Sequence, residues 1–414
     1  MYWSFLVSFS ERYLPKKEDF DRLILCFSDI EMGSGGIMDD FPHSDFFAEL
    51  LDKYNDSYFL GTHVDLVFNG DTFDLLKTDF QGKYPRHIDK TVALGKFFKV
   101  AAAHPQFFEG VRKFLEFDQK NRRAIFITGN HDFELLFPEV QRVIRSACGF
   151  ENEILFPGLS YEFGKVRVEH GSQHDTMFAL DEQHPFVEYD GKKILNIPWG
   201  SVALLDVIIP LKDHFFHLDR LKPKDKVLEA LPEFKEWLVS RLWNYYTKDY
   251  LKDFLHSSDP LKKVKWSMLK EVIRRFYTLH ADVSINMSMK EELEKSDQFS
   301  LYLIGHQHET GWWSFGNRKI IQTGCFRNEF MIEGPDHEIS RINKNYVEVF
   351  MKGERVVRSR IEEVDNPPLP ENYVPMNVSE YREVIRNLLK SFSEEQQKNS
   401  ESKQRKNTEV ESTL

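Results

Sequence analysis

The sequence predicts an α/β protein: a largely buried sheet with helices on its faces, carrying a long helical insertion. Three observations support this expectation. Short apolar runs recur along the chain and several end at a polar cluster, helical patterns lie between several of them, and one aromatic, helix-like stretch breaks the alternation. Strands alternating with helices bury a sheet between layers. In such sheets ligands gather at the carboxyl ends of the strands.

The apolar runs cover 23–27, 65–68, 124–128, 166–168 and 301–304. Their brevity, β-branched content and bounding glycines favour strands over helices. Helical spacing marks 46–53, 91–103 and 107–117, and β-like runs return at 319–323, 346–351 and 355–361. Asp39 and Asp40 read as a helix cap. The stretch 196–297 reads as a helical cap insertion over the site, separating a first core segment, 20–195, from a second, 298–365. Within it Phe234, Trp237, Leu238, Trp243, Tyr246, Tyr250 and Phe254 interleave with charged residues. Packing between helices is the plain reading of such rings, and a lipid groove the sharper one. Residues 393–414 hold almost nothing apolar and are expected to be disordered.

Composition narrows the function classes. Among 414 residues, 66 Asp plus Glu against 55 Lys plus Arg leave a formal charge of −11. That balance disfavours a non-specific nucleic-acid binder. Cys26, Cys148 and Cys325 are far apart and form no CxxC pair, so a reducing, cytoplasmic compartment is expected. The opening residues lack the basic region of a signal peptide, and no apolar run reaches the length of a membrane span. Peripheral membrane contact stays open.

The polar clusters carry the chemistry. Asp29 and Glu31 are spaced i, i+2, so an extended backbone would point both carboxylates to one side. His306 and His308 share that spacing. Asp71 follows a strand and a glycine, Asn130 offers an amide oxygen, and His170 a ring nitrogen. Mixed carboxylate, amide and imidazole donors suit manganese, iron or zinc better than a thiolate-seeking metal. Seven such groups are too many for one ion and suit two ions sharing a carboxylate. The neighbouring His174 and Asp175 read as a polar loop near the site, ahead of direct substrate contact.

Taken in order, Ser28-Asp29-Ile30-Glu31, Gly70-Asp71-Thr72-Phe73-Asp74, Gly129-Asn130-His131-Asp132, His170-Gly171 and Gly305-His306-Gln307-His308 resemble the calcineurin-like metallophosphoesterases, bacterial type. The resemblance covers roughly residues 20–350. It implies a layered β-sheet sandwich flanked by helices, and two divalent ions, manganese first, with iron or zinc as alternatives. It further implies that Asp29, Glu31, Asp71 and His308 hold one ion, and Asp71, Asn130, His170 and His306 the other, Asp71 bridging. By the same resemblance His131 would contact the phosphate and protonate the leaving oxygen, oriented by Asp132, while a metal-bridging hydroxide attacks phosphorus. Asp74 would support the site from behind. The family usually has histidine where this chain has Glu31, and a carboxylate there favours harder ions.

The position of the helical insertion is similar to that in UDP-2,3-diacylglucosamine pyrophosphatase, which carries Gly-Asn-Arg-Asp where this chain has Gly129-Asn130-His131-Asp132. The expected activity is hydrolysis of a small-molecule phosphomono- or diester, with nucleotide- or lipid-linked substrates in range. A nuclease and a catalytically silent binding protein on the same fold are the alternatives. No basic stripe favours the first, and the presence of both Asn130 and His131 argues against the second.

Overall fold

The computed structural model describes residues 14–211, 218–245, 258–262, 298–334, 337–370, 373, 375, 377–387 and 389–390. The opening residues, Tyr246, Tyr250, Phe254 and the expected disordered tail at 393–414 lie outside them. The chain divides into two units. One comprises Met1–Leu205, Ala281–Arg327 and Asn343–Pro367, the other Asp206–His280, Asn328–Ile342 and Pro368–Leu414.

The first unit is a two-sheet sandwich. In one sheet β1 (Arg22–Phe27), β2 (His63–Asn69), β3 (Arg122–Ile127) and β4 (Ile154–Gly158) run parallel. β15 (Lys344–Lys352) pairs antiparallel with β1, and β16 (Arg355–Val364) closes that edge. The second sheet has the order β11 (Thr310–Phe315), β12 (Arg318–Thr323), β10 (Leu301–Ile304), β6 (Val166–Glu169) and β5 (Ser160–Phe163). β10 runs parallel to both β6 and β12. A separate hairpin joins β7 (Phe186–Tyr189) to β8 (Lys192–Leu195).

Alternating side chains explain the layering. Ile24, Cys26, Val67 and Ile125 face Val166, Val168, Leu301, Leu303 and Ile321 across the sandwich. The other face of the first sheet meets helices α1 (Ser44–Asp52), α2 (Lys90–Ala103), α3 (Pro105–Phe117) and α4 (Pro138–Cys148). Much of the phenylalanine content packs this layer. Ring centroids lie 5.0 Å apart for Phe27 and Phe47, 5.4 Å for Phe47 and Phe107, and 4.5 Å for Phe68 and Phe126. The layered α/β class therefore stands. So does the expected β-sheet sandwich flanked by helices: a second sheet covers one face of the first and helices the other. The three cysteines are buried and unbridged.

Local signals set the helix ends. Asp89 accepts from the Thr91 and Val92 N–H groups at the start of α2. α3 and α4 begin at proline, where no amide donor is needed, and α4 stops at the left-handed Gly149. Asp39 and Asp40 cap no helix. Asp39 accepts from Gly33, Gly35 and Phe41 N–H groups and lies 2.7 Å from His104 Nε2. α1 starts four residues later, after His43, without a side-chain cap.

The second unit holds β9 (Leu221–Lys222), β13 (Glu329–Glu333) and β14 (Glu338–Ile342) in one small sheet. Helices Lys224–Ala230 and Pro232–Asn244 pack with it. Leu221, Val227, Phe234, Phe330, Ile332 and Tyr381 share its core. Phe234 stacks on Trp237, whereas Trp243 is 59% exposed. Among the described residues no helix is long and apolar enough to cross a membrane.

Candidate metal centre

Each sequence-predicted ligand follows the carboxyl end of a strand. Asp29 and Glu31 follow β1, Asp71 follows β2, Asn130 follows β3, His170 follows β6, and His306 and His308 follow β10. Because β1, β2 and β3 are parallel in one sheet and β6 and β10 in the other, both sheets deliver donors to one edge of the sandwich.

Asp29, Glu31, His306 and His308 are not in extended backbone; their φ values are 52°, 50°, 70° and 58°, and that of Asp71 is 49°. Left-handed backbone at a residue with a side chain costs about 1–2 kcal/mol. Such strain persists where surrounding bonds fix it. Here Asp29 N–H donates to Gly70 O, Glu31 N–H to Asp71 O, and Arg327 N–H to Asp29 O. His306 N–H donates to Asp29 Oδ2 at 3.1 Å. Glycines permit the close approach: a Cβ at Gly129 would collide with Asp71, and one at Gly305 with Ser28 and Asp29.

Two donor groups result. In one, His308 Nε2 lies 3.1 Å from Asp29 Oδ1 and 3.3 Å from Glu31 Oε1. In the other, His170 Nε2 lies 3.1 Å from Asp71 Oδ2 and 3.1 Å from Asn130 Oδ1. Ligand atoms of Asp71, His170 and His306 lie within 4.8 Å of one another, as do those of Asp29, Glu31 and His308. His170 Nδ1 is 2.9 Å from the Asn69 carbonyl. That acceptor fixes the tautomer and leaves Nε2 as the lone-pair nitrogen, the arrangement of a metal-binding histidine. The donor set thus fits divalent ions.

Electrostatics agree. Burial raises the Asp71 carboxyl, but the His170 and His131 rings outweigh it and hold the group well below the usual carboxylate range. Asp29 is lowered in the same way, burial being outweighed by His308 and His170. Burial lowers His170, yet Asp71 and Asp29 push it up to about 9. His131, also opposed by burial, is pushed up to about 10 by Glu31, Asp71 and Asp74.

His131 is not oriented by Asp132, contrary to expectation. Its Nδ1 lies 3.0 Å from Asp74 Oδ1. The Asp132 carboxylate points the other way and accepts from Gly129 and Thr72 N–H groups at 2.7 and 2.8 Å. Burial and the nearby Asp71 charge push Asp132 up to about 7. It shapes the loop that carries Asn130 and His131.

Asp175, expected only as part of a polar loop near the site, belongs here, as do Lys77 and Arg327, which no motif marked. Asp175 Oδ2 lies 3.3 Å from His306 Nε2. Lys77 Nζ and Arg327 NH1 reach Glu31 Oε2 at 2.8 and 2.9 Å. His174 instead pairs with Glu169 at 2.7 Å.

No family model and no curated protein matches the chain. Among solved structures it is similar to a conserved uncharacterised protein of Streptococcus pneumoniae described as a predicted phosphoesterase. The identity is 12%, over 83% of this chain and 97% of that one, with a TM-score of 0.21. It is also similar to a phosphopantetheinyl hydrolase of Mycobacterium tuberculosis, 11% identical over 74% of this chain and 91% of that one, with a TM-score of 0.26. At such low superposition scores neither likeness bears on what this chain does.

Proposed function

We propose that the chain is a metal-dependent phosphoesterase hydrolysing a phosphomono- or diester. The observation that best supports this reading is the pair of donor groups at one strand-end edge, with His131 held beside them by Asp74. Asp29, Glu31 and His308 would hold one divalent ion and Asn130, His170 and His306 the other, with Asp71 shared and manganese the first choice. The ions would supply positive charge against the phosphoryl oxygens and acidify a water. His131 would lend its proton to the leaving oxygen, the task for which an imidazole suits neutral pH. Asp74 fixes the ring for that transfer.

The test is a metal count on purified protein beside an aryl phosphodiester assay with added manganese. A protein that binds no divalent ion and turns over no phosphoester sinks the reading. A nucleotide- or lipid-linked diester is the finer proposal, supported by the aromatic residues interleaved with charged ones between Phe234 and Phe254. Trp243→Ala should then impair acylated substrates and spare a small aryl diester; equal effects on both refute the lipid part.

A further inference from the structure

Glu31 does not stand at its position as a bare carboxylate. Its Oε1 faces His308 Nε2 at 3.3 Å, on the side of Asp29. Its Oε2 is held by Lys77 Nζ at 2.8 Å and Arg327 NH1 at 2.9 Å. The same two cations reach Asp40 Oδ2 at 2.7 and 3.5 Å, and Lys77 also lies 3.2 Å from Asp74 Oδ2. The side chains of Glu31, Lys77, Arg327, Asp40 and Asp74 are nearly inaccessible, none being more than 8% exposed.

Within this group Lys77 and Arg327 face the carboxylates of Glu31 and Asp40, and Lys77 that of Asp74 as well. A buried charge is tolerated only when it is paired in this way. The geometry also divides the two oxygens of one carboxylate, so that Oε2 is engaged by the cations and Oε1 alone is left toward Asp29 and His308.

We propose that Lys77, Arg327 and Asp40 form a clamp that makes Glu31 a one-oxygen ligand of nearly cancelled charge, and so set the metal preference of the Asp29–His308 group. The inference rests on the phosphoesterase reading in assuming that this group binds an ion. Lys77 and Arg327 are positioning residues in this scheme; they act on the ion through Glu31. Hard ions gain most from additional negative oxygen donors, and zinc gains less. Loss of one clamp cation leaves the other on Oε2 but removes a positive charge beside the group, which favours manganese. Loss of the Asp40 charge leaves excess positive charge beside the group and disfavours manganese.

The experiment is a competition titration of full-length protein with manganese and zinc, with metal content counted per chain. Lys77→Met should raise the manganese-to-zinc affinity ratio about tenfold, within the 10–100-fold range of changes made next to metal ligands. Asp40→Asn, nearly isosteric, should move the ratio the opposite way. Arg327→Met repeats the first arm should Lys77→Met fail to fold. Unchanged ratios, or both variants moving in one direction, overturn the clamp while leaving the phosphoesterase reading intact. Wild-type protein that binds no ion overturns both.

Discussion

His131 Nδ1 lies 3.0 Å from Asp74 Oδ1, so the carboxylate three residues beyond Asp71 orients a histidine 57 positions further along the chain. Were Asp74 only structural, its loss would not depend on the substrate's leaving group. If it holds a proton donor, Asp74→Asn and His131→Ala should both retain metal and slow turnover, the latter by about 10²–10⁴-fold. Alkyl esters, whose leaving oxygens need the proton, should suffer more than aryl esters. Equal losses on both would remove the donor role from His131.

Under the proposed reading both ions share Asp71, whose Oδ1 also accepts from the His131 N–H at 2.7 Å. Asp71→Asn should therefore lower metal content toward less than one ion per chain and abolish phosphodiester hydrolysis. Elemental analysis of the folded variant checks this. Two retained ions with full turnover would falsify the shared-ligand assignment.

Asp175 supports His306 as a carboxylate behind a metal-bound imidazole does. Asp175→Ala should weaken the ion held by Asn130, His170 and His306 by about 10–100-fold, with the other ion retained. Calorimetric titration of the two sites decides it, since an unaffected profile would make Asp175 merely a loop residue whose Oδ1 accepts from Met177 N–H.

Metal binding should also depend on pH in a defined direction. His170 is pushed up to about 9 from an ordinary 6.5. Its stabilising charge in the metal-free protein is fully present below about 6.5 and lost as pH rises through 9. An ion needs the neutral ring, so below pH 9 it must displace that proton. Apparent manganese affinity should climb about tenfold per pH unit for each proton displaced and level off above about 9. Metal-free protein should meanwhile melt at lower temperature at pH 9.5 than at pH 6.5. Affinity that stays flat from pH 6.5 to 9 would show that metal binding displaces no proton from His170 in that range.

Much of this site was legible because short apolar runs mark strands, and strands of a buried sheet end where ligands bind. The runs before Asp29, Asp71, Asn130, His170 and His306 are all strands. The convergence of Asp29 with Glu31 was expected for the wrong reason. Spacing of two suggested a pleat, whereas both residues sit in left-handed backbone beyond the strand. The orienting role expected of Asp132 came from the resemblance alone, and its carboxylate is instead taken up by the Gly129 and Thr72 N–H groups. Lys77 and Arg327 carried no motif. The one signal available was chemical: a carboxylate at a position usually held by histidine needs a cation nearby if it is buried.

That signal leads to the final prediction. Glu31→His should not simply restore a familiar ligand and raise zinc affinity, as the sequence suggests, because it removes a carboxylate partner shared by two buried cations. Lys77 and Arg327 would be left facing Asp40, with Asp74 3.2 Å from Lys77. Removing one partner of a buried ion pair costs about 3–5 kcal/mol. The remaining carboxylates should hold the loss below that, at most about 3 kcal/mol. A second substitution, Lys77→Met, removes one stranded charge and should return part of the stability, so the two changes should be non-additive. Denaturant melts of the wild type, both single variants and the double variant measure this coupling. If Glu31→His is as stable as the wild type and the effects add, Glu31 is not the residue that Lys77 and Arg327 neutralise.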